Sequence, residues 1–149
     1  MEDGNLNPNT TGQTAPGYKL NKVQALAIAS FIGAPVASGI LMRMNFINLG
    51  NKKAGDISLV VSIIVTILLF VGIMLLPEHV IDSIPRMAIP IVYTALIALL
   101  GEKFFGKKIN AHAATGGAFY SYWRSAWVGL VCLVAIFILL IATLMLIPF

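Results

Sequence analysis

Residues 57–76 read ISLVVSIIVTILLFVGIMLL, a stretch without one charged side chain. Because a helix rises about 1.5 Å per residue, this stretch would be about 30 Å long as a helix, which matches the hydrocarbon core of a bilayer. Residues 128–147 repeat the pattern, and weaker apolar stretches lie at 23–42 and 84–100. The sequence therefore predicts an all-α, polytopic membrane protein with four transmembrane helices in a bundle.

The composition supports a membrane location. The chain has 149 residues, of which 58% are hydrophobic and 11% charged. An average soluble domain is about 25% charged, so these few charges could not cover a water-soluble surface of this size. The net charge of +4 is typical of basic cytoplasmic loops facing anionic headgroups. The lipid bilayer is the expected partner, and no nucleic acid is expected.

The chain divides into two parts. Residues 1–22 are rich in Asn, Thr, Gly and Pro, a composition that predicts a disordered polar tail. This tail opens acidic and polar, unlike a signal peptide. Residues 23–149 form the predicted four-helix transmembrane domain, whose spans are expected at about 23–42, 57–76, 84–100 and 126–147.

The first span carries small residues at helical spacing. Ala25, Ala29, Gly33 and Ala37 recur every four residues, and such spacing lets two helices approach closely in a membrane. Pro35 lacks a backbone donor, which predicts a kink near residues 32–35. We therefore expect the first helix to lie at the packing centre of the bundle. The alternative is that these small residues have no packing role and only lower the hydrophobicity of the span.

The ends of the other spans suggest caps and an interfacial segment. Asp56 or Ser58 is expected to cap the second helix, and Pro90 is expected to bend the third. Residues 101–125 interleave six aromatic residues with four cations and contain a glycine pair. Aromatic rings and long cations both favour the headgroup region, so an interfacial segment is expected there.

The distribution of Lys and Arg predicts the orientation. Residues 43–55 and 101–125 hold seven of the ten Lys and Arg residues. If all four spans cross the membrane, both segments are cytoplasmic and both termini are extracytoplasmic. The expected location is a cell membrane, specifically the bacterial inner membrane, with multiple passes.

The spans carry no chemistry typical of an enzyme or an ion-coupled carrier. The four acidic residues beyond the tail fall at the ends of spans: Asp56, Glu78, Asp82 and Glu102. Carriers coupled to ions keep carboxylates within the membrane, and a metal site needs several converging ligands. We expect no catalytic residue, no bound metal and no cofactor.

One group of residues could contact a lipid headgroup or a partner protein at the cytoplasmic face. Its members are Arg43, Asn48, His112, Tyr122, Trp123 and Arg124. They combine positive charge, aromatic rings and hydrogen-bonding groups, which together suit a phosphate or an acidic loop. The alternative is that they are ordinary interfacial anchors.

Two short motifs carry a resemblance. Asn45-Phe46-Ile47-Asn48-Leu49-Gly50 follows a first helix that contains Gly and Pro, and Gly116-Gly117 precedes Trp123 and the last span. In these features the chain resembles small uncharacterised bacterial four-helix integral membrane proteins. The resemblance implies a lineage and no activity.

The functional hypothesis that follows is a non-catalytic structural, assembly or accessory subunit, acting as a homo-oligomer or with a membrane-protein partner. The alternative is an oligomeric transporter or channel for a small solute, lined by hydroxyl side chains. A third possibility is a membrane enzyme acting on lipid, for which residues 112–124 are the one suitable segment.

Overall fold

A computed structural model of the chain describes residues 16–146. Its five helices are α1 (Val23–Asn48), α2 (Lys52–Leu75), α3 (Glu78–Ser83), α4 (Ala88–Ala114) and α5 (Tyr122–Leu146). All but the short α3 are long and apolar enough to cross a membrane. The prediction of an all-α fold with four long apolar helices is confirmed.

Helix α1 is broken near its middle. Gly33 and Ala34 have non-helical backbone angles, and Ala34 has a φ of 59° with a ψ of 178°. Pro35 has no N–H to donate, and its ring disfavours the helical conformation of the residue before it. The kink predicted near residues 32–35 is confirmed. A positive φ at an alanine is a strained conformation, which the packing around it must stabilise.

The chain reverses its direction at this break. The Asn21 backbone N–H donates to Asn45 Oδ1 over 2.7 Å, and Asn45 Nδ2 donates to the Asn21 carbonyl over 2.8 Å. In a straight helix, residues this far apart would be separated by about 36 Å. Residues 23–32 (α1a) and 35–48 (α1b) therefore form an antiparallel hairpin. We call the break its tip, and the end of the bundle that holds Asn21 and Asn45 the near end.

This hairpin is the centre of the fold. Helices α2, α4 and α5 each pack against α1, and in the described chain they have no comparable packing with one another. Glycines allow these close approaches. Gly39 lies against Ser62 of α2, Gly33 lies against Gly129 of α5, and Gly101 of α4 lies against side chains of α1a. The expectation that the first helix lies at the packing centre agrees with this arrangement.

The buried core ends at the depth of the tip. The last buried residue of α2 is Thr66, the first of α4 is Ile97, and the last of α5 is Cys132. Beyond them, no residue whose burial is described is buried. We call residues 67–75, 88–96 and 133–146 the far halves of α2, α4 and α5. They extend past the hairpin and have no α1 to pack against.

Several helix ends differ from the predicted ones. Helix α1 continues to Asn48, and α4 runs over Ala88–Ala114 instead of 84–100. The predicted interfacial segment at 101–125 is therefore helical through its first half. Hydropathy marks the part of a helix suited to lipid, whereas Lys, Glu and Ala continue a helix readily beyond it.

Two predictions about caps and bends are corrected as well. Neither Asp56 nor Ser58 caps α2, because that helix begins earlier and the Asn51 side chain accepts from the Ala54 N–H over 3.0 Å. Pro90 lies in the first turn of α4. A proline in that position removes no intrahelical hydrogen bond, so it does not require a bend.

The ordered chain begins before α1. Of the predicted disordered tail, residues 1–15 lie outside the described residues. Leu20 and Asn21, however, are fully buried. The Leu20 N–H donates to the Ala118 carbonyl over 3.3 Å, and the Tyr120 N–H donates to the Leu20 carbonyl over 3.0 Å. For these last residues the prediction of disorder is wrong, because pairing with the α4–α5 loop satisfies their backbone groups.

Candidate functional site at the near end

Three segments meet at the near end of the bundle. They are the extended residues 18–22, the C-terminal end of α1b and the loop of residues 115–121 between α4 and α5. Most of the polar side chains buried in the described chain belong to this region or to the hairpin behind it. The near end is therefore the candidate functional site.

Asn21 and Asn45 form an asparagine clamp across the open end of the hairpin. Both residues are fully buried. Asn45 Oδ1 accepts from the Asn21 backbone N–H over 2.7 Å and from Asn21 Nδ2 over 3.1 Å, while Asn45 Nδ2 donates to the Asn21 carbonyl. One side chain thus satisfies the backbone of an extended residue where no helix or sheet can do so.

His112 fixes the α4–α5 loop to the end of α4. Its side chain is 4% exposed, and its Nε2 lies 2.9 Å from the Ala118 carbonyl oxygen. A carbonyl only accepts, so Nε2 carries the donated proton. The ring stacks on Tyr18 at 5.0 Å and meets Phe119 edge-on at 5.3 Å. A Cβ at Gly117 would collide with this ring. These contacts give His112 a structural role.

Two cations of the site lie over aromatic rings. Lys22 Nζ is 5.0 Å from the centre of the Phe119 ring and 6.0 Å from that of Tyr122. The Arg124 guanidinium lies 3.9 Å from the centre of the Tyr120 ring. Such contacts stabilise a cation by about 0.5–2 kcal/mol without neutralising it. Both positive charges therefore remain available to an anionic group.

The six predicted contact residues are distributed unevenly. Three of them contact the N-terminal segment: Asn48 donates to the Lys19 carbonyl over 2.7 Å, His112 stacks on Tyr18, and Tyr122 lies beside Lys22. Arg124 lies over Tyr120 of the α4–α5 loop. Arg43 instead faces α2, where its Nε donates to Asp56 over 2.7 Å in the one ion pair of residues 16–146. Trp123 is 78% exposed and has the position of an interfacial anchor.

The four residues predicted to form the packing face of the first helix are all buried. They are Ala25, Ala29, Gly33 and Ala37. Gly33 makes a close contact with α5, because a Cβ there would lie 2.8 Å from the Gly129 Cα; it would also lie 2.9 Å from the Ala37 Cβ.

Three of the six hydroxyl side chains expected to line a pore bond to their own helices; the six are Ser30, Ser38, Ser62, Thr66, Tyr93 and Thr94. Ser38, Ser62 and Thr66 each donate to a carbonyl three or four residues earlier, over 2.7–2.8 Å. Ser30 Oγ and Thr94 Oγ1 are buried and have no hydrogen-bond partner among the described residues. A hydroxyl that bonds its own backbone does not need water, so Ser38, Ser62 and Thr66 do not require an aqueous path.

Sequence reasoning missed Asn21 because it treated the first span as one kinked helix that crosses the membrane, and not as a hairpin. In that geometry Asn21 and Asn45 would lie about 36 Å apart, at opposite ends of a span. A pair of asparagines flanking an apolar segment that contains Gly-Ala-Pro is the available signal for such a hairpin. Within residues 16–146, no group of His, Cys, Asp and Glu side chains is placed to hold a metal ion.

Replacing Asn45 with Leu is expected to destabilise the fold by about 2–4 kcal/mol, because it leaves the buried Asn21 N–H and carbonyl without partners. Thermal unfolding in detergent, followed by intrinsic fluorescence, measures this loss. Asn48→Ala is the matched control, since it removes one amide hydrogen bond at a more exposed position. Equal losses for the two variants would contradict the structural role of the clamp.

Comparison of the chain with protein-family models, with curated proteins and with solved structures gives no match.

Proposed function

We propose that the protein is a non-catalytic structural or assembly subunit of the bacterial inner membrane, which binds a second membrane protein or a second copy through its far halves. The observation that carries this proposal is the core that ends at the depth of the hairpin tip. Past the tip, three long apolar helices continue without α1 between them.

The chemistry of the interior supports a structural role. At two close crossings, Gly39 lies against Ser62 of α2 and Gly33 lies against Gly129 of α5, which leaves little space for a substrate between α1 and either of these helices. The acidic residues Asp56 and Glu102 lie outside the tip region, and the hydroxyls of Ser38, Ser62 and Thr66 bond their own helices. A closely packed core suits a subunit that positions other helices.

The hairpin also supports a specific orientation of the protein across the membrane. With both ends of α1 at the near end, nine of the ten Lys and Arg residues belong to that end: Lys19, Lys22, Arg43, Lys52, Lys53, Lys103, Lys107, Lys108 and Arg124. Arg86 belongs to the opposite end. By the positive-inside rule the near end is cytoplasmic. Residue 16 then lies in the cytoplasm and residue 146 outside, in place of two extracytoplasmic termini.

Site-specific photo-crosslinking in native membranes tests the proposed binding surface. A photoreactive amino acid is introduced at Leu68 of α2 or at Ile138 of α5, both 63% exposed in the far halves. The expected result is a protein adduct of one defined mass at each position, because a packed neighbouring helix lies closer than mobile lipid.

Val60 and Leu130 provide the matched controls. They are exposed apolar residues of the same two helices on the near side of the tip, with exposures of 55% and 42%. We expect them to give lipid adducts alone. Lipid adducts at all four positions, or the same protein adduct at all four, would contradict the proposal.

A transporter or channel for a small solute is the second candidate, and one observation favours it. Transporters place substrate sites where helices break near the membrane midplane. Here the break follows Ser30, whose buried hydroxyl has no partner among the described residues. Solute flux into proteoliposomes discriminates the two functions. Flux that Ser30→Ala abolishes would support transport, whereas flux equal to that of empty vesicles supports the structural role.

A further inference from the structure

A groove follows the interface between α1a and α4 from the near end towards the tip. The part farther from the near end has a volume of about 510 Å³ and is lined mainly by small or apolar side chains, among them Ala27, Ala95, Ala98 and Leu99. Its outer part has a volume of about 350 Å³ and includes Lys22, Glu102, Asn110 and Phe119. Val23, Gln24 and Glu102 line both parts, so the two are continuous.

The two parts suit the two ends of one phospholipid. Together they have the volume of ordinary ligand pockets, which is about 300–1,000 Å³. The apolar part lies farther from the near end, on the surface beside the first turns of α1a, and its alanines leave room along the helix surface for an acyl chain. The polar part lies at the near end, at the level where headgroups and aromatic rings meet.

The charges at the outer part specify the headgroup. Lys22 is held over two aromatic rings, and the ion pair of residues 16–146, Arg43 with Asp56, uses neither Lys22 nor Glu102. The Glu102 side chain folds along α4 against Gly106. One cation and one carboxylate thus line the same cavity without neutralising each other. A headgroup that carries both a phosphate and a cation complements them, whereas a purely anionic headgroup meets repulsion from Glu102.

We propose that this groove binds a zwitterionic phospholipid with a primary ammonium, of the phosphatidylethanolamine class. Lys22 contacts the phosphate, Glu102 accepts hydrogen bonds from the ammonium, and one acyl chain lies along Ala27, Ala95 and Ala98. The primary ammonium matters because it donates hydrogen bonds to a carboxylate, which a quaternary ammonium cannot do. This site is separate from the far halves and does not depend on the function proposed for them.

Native mass spectrometry of the full chain tests the proposal. The protein is reconstituted in vesicles of equal parts phosphatidylethanolamine and phosphatidylglycerol, and the lipid that stays bound after extraction is identified. We expect one retained phosphatidylethanolamine. Glu102→Gln is expected to lower the ratio of retained phosphatidylethanolamine to phosphatidylglycerol about five-fold, the effect of losing one charge-assisted hydrogen bond.

Three further variants complete the test. Lys103→Ala removes the neighbouring cation of α4, which does not line the groove, and should leave the ratio unchanged. Ala95→Phe fills the groove from an exposed position and should abolish lipid retention. Val92→Phe adds the same side chain at an exposed position outside the groove and should not. An unchanged ratio in Glu102→Gln, or retained lipid in a folded Ala95→Phe, would overturn the proposal.

Discussion

Cysteines placed at Lys19 and at Lys53 are expected to react with a membrane-impermeant thiol reagent from the same side of the membrane. These two exposed positions flank α1. If α1 crossed the membrane as one helix, the two cysteines would lie on opposite sides, and only one of them would react with the reagent in intact cells. The hairpin instead returns both to the near end, which is cytoplasmic in the orientation that we propose from the positive-inside rule. Labelling should therefore require permeabilised cells.

Two further single cysteines calibrate this experiment in a background where Cys132 is replaced by Ala. Lys108→Cys, near the end of α4, should label like Lys19→Cys, and Glu78→Cys, beyond the far half of α2, should label in intact cells. Labelling of Lys19→Cys in intact cells, with Lys53→Cys still protected, would show that α1 spans the membrane and would refute the proposed orientation.

Gly33→Leu is expected to abolish the folded state or to lower its stability by several kcal/mol. A Cβ at Gly33 meets the Gly129 backbone, with 2.8 Å to its Cα, and the Ala37 Cβ at 2.9 Å. Backbone atoms on two different segments cannot yield as a flexible side chain does. Overpacking in a tight core costs about 1–3 kcal/mol even where some relaxation is available.

Gly72→Leu is the matched control for this substitution. Gly72 lies in the far half of α2, and apart from its chain neighbours and the backbone of its own helix no described atom lies within 4 Å of a Cβ built there. Gel filtration and thermal unfolding in detergent should show a normal protein for Gly72→Leu and loss of the monodisperse species for Gly33→Leu. If the two variants were equally stable, the close contact between the tip and α5 would be disproved.

Local sequence signals predicted much of this fold because they act over short distances. Long apolar stretches identified α2, α4 and α5, and Pro35 identified the break in α1. Whether that break is a bend or a full reversal depends on Asn21 meeting Asn45, a contact between residues far apart in the sequence. Hydropathy does not report contacts between residues far apart in the sequence. The sequence alone therefore could not reject a bent helix that crosses the membrane.

The candidate site was harder to predict than the fold. The sequence places His112 and Tyr122 in one polar group, but their neighbours Tyr18 and Lys22 belong to a segment whose composition favours disorder. Their order comes from pairing with the α4–α5 loop. Likewise, Glu102 was noted as an acid at the end of a span, and only the packing of α1a on α4 places it in one cavity with Lys22.

The contact between the tip of the hairpin and Gly129 has a consequence for biogenesis. The hairpin is synthesised before α5, the helix that holds its tip. Until α5 emerges from the ribosome, α1a and α1b lack one of the three helices that pack on them, the one that contacts the tip. A nascent protein that ends before α5 therefore presents a hairpin with an uncovered tip to the machinery that inserts and degrades membrane proteins.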